Sequence, residues 1–233
     1  MTEGIFGIWN PTPNTLKCFE VMGDVLAKDN TQLELGIYTR RDGGIQSQYC
    51  FDMQRLLSDW QKQPLGDLSI AFFRSTPIGS VDLSSMIPRY SIGNIAVTYL
   101  GFIYNLPQIQ DKLTCYGYQF DDNTRNVAET LCYLLDHYLE FNCLSPVEAM
   151  QVMMRELKGS FAFMALVAGG KWLLVGSRDY PLAIGKNNRT VYFATDTEIL
   201  AHFSKSKFLI SKKTKPSIFC ATSFQKEILL PVS

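Results

Sequence analysis

Glu3-Gly4-Ile5-Phe6-Gly7-Ile8-Trp9 is the stretch on which the reading of the fold turns. It is short, apolar, β-type and begins almost at the first residue. A run of this kind at an extreme terminus frays unless a sheet ties it down. Two glycines so close together in a strand predict close approach of another backbone or of a ligand. Pro11 and Pro13 end the strand.

Outward from it, residues 16–27 read as a helix, with Leu16, Phe19, Met22, Val25 and Leu26 on one face. Residues 33–38 and 45–51 read as two strands joined through Arg41-Asp42-Gly43-Gly44, a strong hairpin signal. A short helix is expected over 53–60. Residues 68–73 form a nearly continuous apolar run, as in a strand buried on both faces, with Arg74 at its end. Residues 75–90, with Pro77, Gly79 and Pro88, read as a long loop. Residues 92–99 read as another strand, Gly101 is expected to turn the chain, and residues 109–113 to start a helix.

In the second half, residues 127–141 carry Val127, Leu131, Leu134, Leu135 and Tyr138 at helical spacing. Ser145-Pro146-Val147-Glu148 is a helix start, with a capping serine, a proline at the first position and an acid in the first turn. Strands are expected over 161–168, 171–177, 182–185 and 191–194, with Gly169-Gly170 and Asn187-Asn188 as hairpin turns. A short helix is expected over 197–204, and one or two strands over 217–230. No repeat or linker-like tract divides the chain, so one domain over 1–233 is the economical reading. The order of elements predicts an α+β fold of antiparallel sheets covered by helices rather than βαβ units.

Totals exclude several function classes. The 22 basic and 22 acidic residues cancel, which gives no electrostatic argument for nucleic acid or an anionic membrane. No run of about 18 apolar residues predicts a membrane span. The N-terminus lacks the basic and apolar regions of a signal peptide. The six cysteines (Cys18, Cys50, Cys115, Cys132, Cys143 and Cys220) include no C-x-x-C pair, so reduced thiols in a cytoplasmic protein are expected. His137 and His202 have no partner at metal-ligand spacing, so neither metal nor cofactor is expected.

Further segments carry more specific information. Glu156-Leu157-Lys158-Gly159-Ser160-Phe161-Ala162-Phe163, then Ser177-Arg178-Asp179-Tyr180-Pro181-Leu182-Ala183-Ile184-Gly185, then Tyr192-Phe193-Ala194-Thr195-Asp196-Thr197-Glu198-Ile199-Leu200 follow one another in order. Together with Gly4-Ile5-Phe6-Gly7-Ile8, they resemble the class II glutamine amidotransferase domains over nearly the whole chain. The resemblance implies the N-terminal nucleophile hydrolase fold, a four-layer αββα sandwich of two antiparallel sheets with helices outside.

That family opens with a cysteine nucleophile whose own α-amino group is its base. Here Glu3 stands in its place, preceded by Met1 and Thr2. Removal of Met1 would leave Thr2 first, and threonine serves as a nucleophile in N-terminal hydrolases. Thr2 is one residue early, which in a strand reverses the side-chain direction and shifts it by about 3.3 Å. The family's oxyanion segment N-G-x-I-x-N matches Leu100-Gly101-Phe102-Ile103-Tyr104-Asn105, so Leu100 replaces the donor asparagine. Arg74 matches the arginine that holds the glutamine carboxylate. It stands between that ligand role and an ordinary ion pair, including one with Glu3 across the old pocket. Glu3 itself reads first as a solvated terminal residue, and Leu100 as a packing residue. The family's ammonium-binding segment falls on Asn123 and Arg125, or on Asp122 with a shift of one residue.

Losses at Glu3, Leu100 and Asn123–Arg125 imply a catalytically degenerate domain with no catalytic residues. The expected function is a free-standing binding or regulatory module whose partner is a protein or a small metabolite. Its oligomeric state is open. Phe72, Phe73, Tyr90, Tyr99, Phe102 and Tyr104 lie near the former cleft, where core packing is expected for most of them. The alternative is an amidohydrolase or amidotransferase subunit using Thr2, or a cysteine such as Cys18 or Cys50.

Overall fold

The structure, a computed structural model, describes residues 2–9, 31–41, 44–50, 66–77, 90–92, 94–120, 126–167, 172–187, 190–203, 209–210, 217–222 and 228–231. The strands are β1 (Thr2–Trp9), β2 (Thr31–Arg41), β3 (Gly44–Cys50), β4 (Leu68–Pro77), β5 (Tyr90–Ile92), β6 (Ile95–Ile103), β7 (Gly159–Val167), β8 (Trp172–Arg178), β9 (Ala183–Asn187), β10 (Thr190–Ala194), β11 (Leu209–Ile210), β12 (Ser217–Thr222) and β13 (Ile228–Pro231). The helices are α1 (Leu106–Cys115), α2 (Val127–Asp136), α3 (Pro146–Glu156) and α4 (Thr197–Phe203); a π-helical turn, His137–Phe141, extends α2.

The strands form two antiparallel sheets. One runs β11-β9-β10-β1-β4-β2-β3 and the other β13-β12-β8-β7-β6-β5. An inner core joins their facing surfaces. Ile5, Ile70, Phe72 and Phe193 of the first sheet meet Leu100, Met164, Leu166 and Val175 of the second. The outer face of the second sheet carries Val97, Phe161, Phe163 and Leu174, which pack against Leu113, Leu131, Leu134, Met150 and Met154 of the helices. Helix α4 packs on β9 and β10. This is the expected α+β architecture of two packed antiparallel sheets with helices. The helices expected over 16–27 and 53–60 lie outside the described residues.

The first strand is tied down on both sides. Phe6 to Trp9 pair with Ala194 to Val191, and Thr2 to Trp9 pair with Ser75 to Leu68. Its glycines do mark close approach, but of side chains: a Cβ on Gly4 would lie 2.2 Å from the Phe73 ring, and one on Gly7 2.8 Å from Met164 Sδ. The 41–44 hairpin is as expected, with Arg41 opposite Gly44. The start of α3 is a complete capping box, in which Ser145 Oγ accepts from the Glu148 amide and the Glu148 carboxylate accepts from the Ser145 amide.

Four local expectations are corrected. Residues 75–77 belong to β4 rather than to a loop, because Thr2 opposes Ser75 on one side and Thr31 opposes Pro77 on the other. Residues 92–99 are not one strand. Ile92 ends β5 and pairs with Ile95 of β6, so the two are separate antiparallel strands. Gly101 does not turn the chain. It lies inside β6 at φ 106°, because the Ser160 carbonyl leaves no room for a Cβ there. Helix α1 begins at Leu106, with Pro107 in its first turn, where the missing amide hydrogen costs nothing.

Candidate functional site

At the Thr2 end of β1 the inner face changes from apolar to charged. Ile5, Phe72 and Tyr38 are inner-core residues of β1, β4 and β2. Strand alternation places Glu3, Arg74 and Glu34 on that same face, beyond the last core layer. Register lines the three up in one row. Glu3 is opposite Arg74 across β1 and β4, and Glu34 is opposite Arg74 across β2 and β4. Residues so paired hold their Cβ atoms about 4.5–5.5 Å apart. Arg74 therefore stands between two carboxylates. Glu3 is exposed and Arg74 half-buried, while Glu34 is only 5% exposed and accepts a hydrogen bond from Tyr49 Oη at 2.5 Å.

The second sheet closes the other side. Burial first, and then the negative charge of Glu3, raise the phenol pKa values of Tyr99 on β6 and of Tyr180, which follows β8. Tyr180 packs on Gly101, whose added Cβ would lie 3.1 Å from the ring and 2.3 Å from the Ser160 carbonyl oxygen. Leu100 is 6% exposed and belongs to the inner core. Its side chain offers no hydrogen-bond donor. The start of β1 is held by Thr195: the Ile5 amide donates to Thr195 Oγ1 at 3.1 Å, and the Thr195 amide donates to the Ile5 carbonyl at 3.2 Å.

The structure thus brings Glu3, Arg74, Leu100 and Gly101 to one end of the sandwich. Asn123, Arg125 and Asp122 lie outside the described residues, as does Cys18. Thr2 opposes Ser75, one step along the ladder from the Glu3–Arg74 pair, and Cys50 opposes Leu35 at the end of β3. Sequence reasoning missed Glu34, Tyr49, Tyr180 and Thr195. A faint signal for Glu34 exists: it is the one charged residue in the run 33–38, on the same parity as Gly36 and Tyr38. Of the aromatic residues near the cleft, Phe72 and Phe73 are buried, whereas Phe102 and Tyr104 are exposed. Among the described residues, no group of three His, Cys, Asp or Glu side chains is placed to hold a metal ion.

Asn105, which the resemblance matches to the family's oxyanion segment, is a brace. Its Nδ2 donates to the Glu156 carbonyl and its Oδ1 accepts from the Lys158 amide, each at 2.9 Å. It fastens the end of α3 to the turn entering β7. Replacing Asn105 with alanine strands both backbone groups, so a loss of about 2 kcal/mol is expected, measured as a shift in the urea midpoint. A shift below about 0.5 kcal/mol would show that water replaces the brace.

Residues 84–202, just over half the chain, match the glutamine amidotransferase domain family. The chain belongs to this family. It is 30% identical over 148 residues to the glutamine–fructose-6-phosphate aminotransferase (isomerizing) of Mesorhizobium japonicum, covering 63% of this chain and 24% of that protein. It is 32% identical over 139 residues to the Bradyrhizobium diazoefficiens enzyme of the same name, covering 59% and 22%. The chain spans about a quarter of the length of these curated relatives. Among solved structures, glutamine phosphoribosylpyrophosphate amidotransferase from B. subtilis superimposes with a TM-score of 0.73 at 16% identity, over 99% of this chain and 49% of that one. A predicted glutamine amidotransferase from Pseudomonas aeruginosa matches at a TM-score of 0.51 and 12% identity, over 92% and 96%. The amidotransferase domain is of class II, with the N-terminal nucleophile fold. None of its described helices is long and apolar enough to cross a membrane.

Proposed function

We propose that this amidotransferase domain does not hydrolyse glutamine and acts as a regulatory module that binds a protein or a small metabolite. One observation carries the reading: the inner-face position at the head of β1, which the family resemblance gives to the thiol nucleophile, holds Glu3 directly opposite Arg74. A carboxylate is far weaker than a thiolate as a nucleophile toward an amide.

Two further features support it. Two carboxylates against one guanidinium leave the Glu3–Arg74–Glu34 row with a net charge of −1, so a substrate carboxylate meets no net attraction there. Leu100 turns an apolar side chain into the core where an amide donor would be needed, and loss of one such donor typically lowers rates about 100- to 1,000-fold.

The test is ammonia release from glutamine by the pure protein, together with intact mass measurement after incubation with 6-diazo-5-oxo-norleucine. The expected result is no ammonia above the buffer rate and no added mass. Ammonia release that disappears in Thr2→Ala would overturn the proposal and establish an N-terminal threonine hydrolase.

A further inference from the structure

We propose that a cleft at the end of the six-stranded sheet binds a small anion that carries a planar ring. None of its lining residues belongs to the Glu3–Arg74–Glu34 row, and the reading above does not assign it. The cleft has a volume of about 330 Å3 and is lined by Phe102, Tyr104, Lys158, Ser160, Arg178 and Asp179, together with Gly159. Its size is at the low end of ligand pockets, which run from about 300 to 1,000 Å3, and fits one ring with an acidic group.

The lining supplies both halves of such recognition. Phe102 is 68% and Tyr104 61% exposed, an uncovered aromatic pair of the kind that marks a binding surface. Ring faces stack on planar ligands at low conformational cost. Lys158 and Arg178 outweigh Asp179 by one positive charge, which favours an anion. Arg178 Nη2 donates to the Met154 carbonyl, while its buried Nε has no hydrogen-bond acceptor among the described residues.

The walls are fastened to one another before any ligand arrives. The Tyr104 amide donates to the Lys158 carbonyl at 3.0 Å, and the Lys158 amide donates to Asn105 Oδ1 at 2.9 Å. Ser160 Oγ donates to the Asp179 carbonyl at 2.8 Å. Gly159, at φ 148°, lies so close to Phe102 that an added Cβ would be 2.1 Å from its carbonyl oxygen. Asp179 is itself held at φ 51°, in the left-handed region, a conformation that recurs at ligand sites. Three strands that meet only through tertiary pairing thus present a prearranged concave surface, which lowers the ordering cost of binding.

Isothermal titration of the whole chain tests this with two ring-bearing anions, AMP and 4-hydroxybenzoate. Adenosine and inorganic phosphate serve as ring-only and anion-only controls. The expected result is saturable binding of at least one ring-bearing anion, at least 10-fold tighter than either control. Tyr104→Ala and Lys158→Ala should each weaken it at least 10-fold. Both side chains are exposed, so an unchanged thermal melt verifies that the variants fold. No binding of either probe, a control that binds as tightly, or either folded variant that binds like the parent overturns the proposal. The outcome is independent of whether glutamine is hydrolysed.

Discussion

Gly101→Ala is expected to lower the stability of the fold by about 3 kcal/mol. Two costs add. The residue sits at φ 106°, where an L side chain costs roughly 1–2 kcal/mol. Its Cβ would also lie 2.3 Å from the Ser160 carbonyl oxygen and 2.8 Å from the Phe161 Cα. Both are backbone atoms of the adjacent strand β7, which cannot swing away as a flexible side chain would. Overpacking of this kind typically costs about 1–3 kcal/mol. Urea denaturation followed by circular dichroism measures the sum. A change under about 1 kcal/mol would mean that β6 and β7 separate freely at this point, and the described register there would be wrong.

Arg74→Met is expected to destabilise the protein by about 2 kcal/mol. It removes the cation facing Glu34, a carboxylate that is 5% exposed and has a hydrogen bond from Tyr49. Breaking a fully buried pair costs about 3–5 kcal/mol; Arg74 is half-buried, and solvent screening reduces that figure. Glu34→Gln combined with Arg74→Met should recover about 1 kcal/mol, because the stranded charge is then gone. Glu3→Gln, at an exposed position, should change stability by less than about 0.5 kcal/mol. This cycle decides the role of Arg74. If its removal leaves the midpoint unchanged and no coupling to Glu34 appears, the guanidinium is not committed to the row and remains available to a ligand.

Much of the fold was legible along the chain. Ser145-Pro146-Val147-Glu148 announces α3 because a capping box closes within four residues. The 41–44 reversal follows from local turn chemistry. The amidotransferase resemblance rested on several segments in the right order, and the family match confirms it. Of the residues matched to the family's site, Glu3 and Arg74 face each other across β1 and β4. Two of the errors share an origin. Pro77 and Gly101 look like breakers to a local reading, yet each sits in a strand because of what lies beside it. Pro77 is at the end of a ladder with β2, and Gly101 is under the Ser160 carbonyl.

The sequence by itself determined most element types among the described residues, the antiparallel class and the presence of a carboxylate, Glu3, near the head of β1, since these depend on residue identity and on spacings of a few residues. Only the tertiary structure decided that Glu34 faces Arg74, that Asn105 is a brace, and that Phe102, Lys158 and Arg178 line one cleft. Strand register and sheet order are set by pairing between distant segments and by the fit of the core between the sheets. No local pattern encodes which face of which strand will meet another.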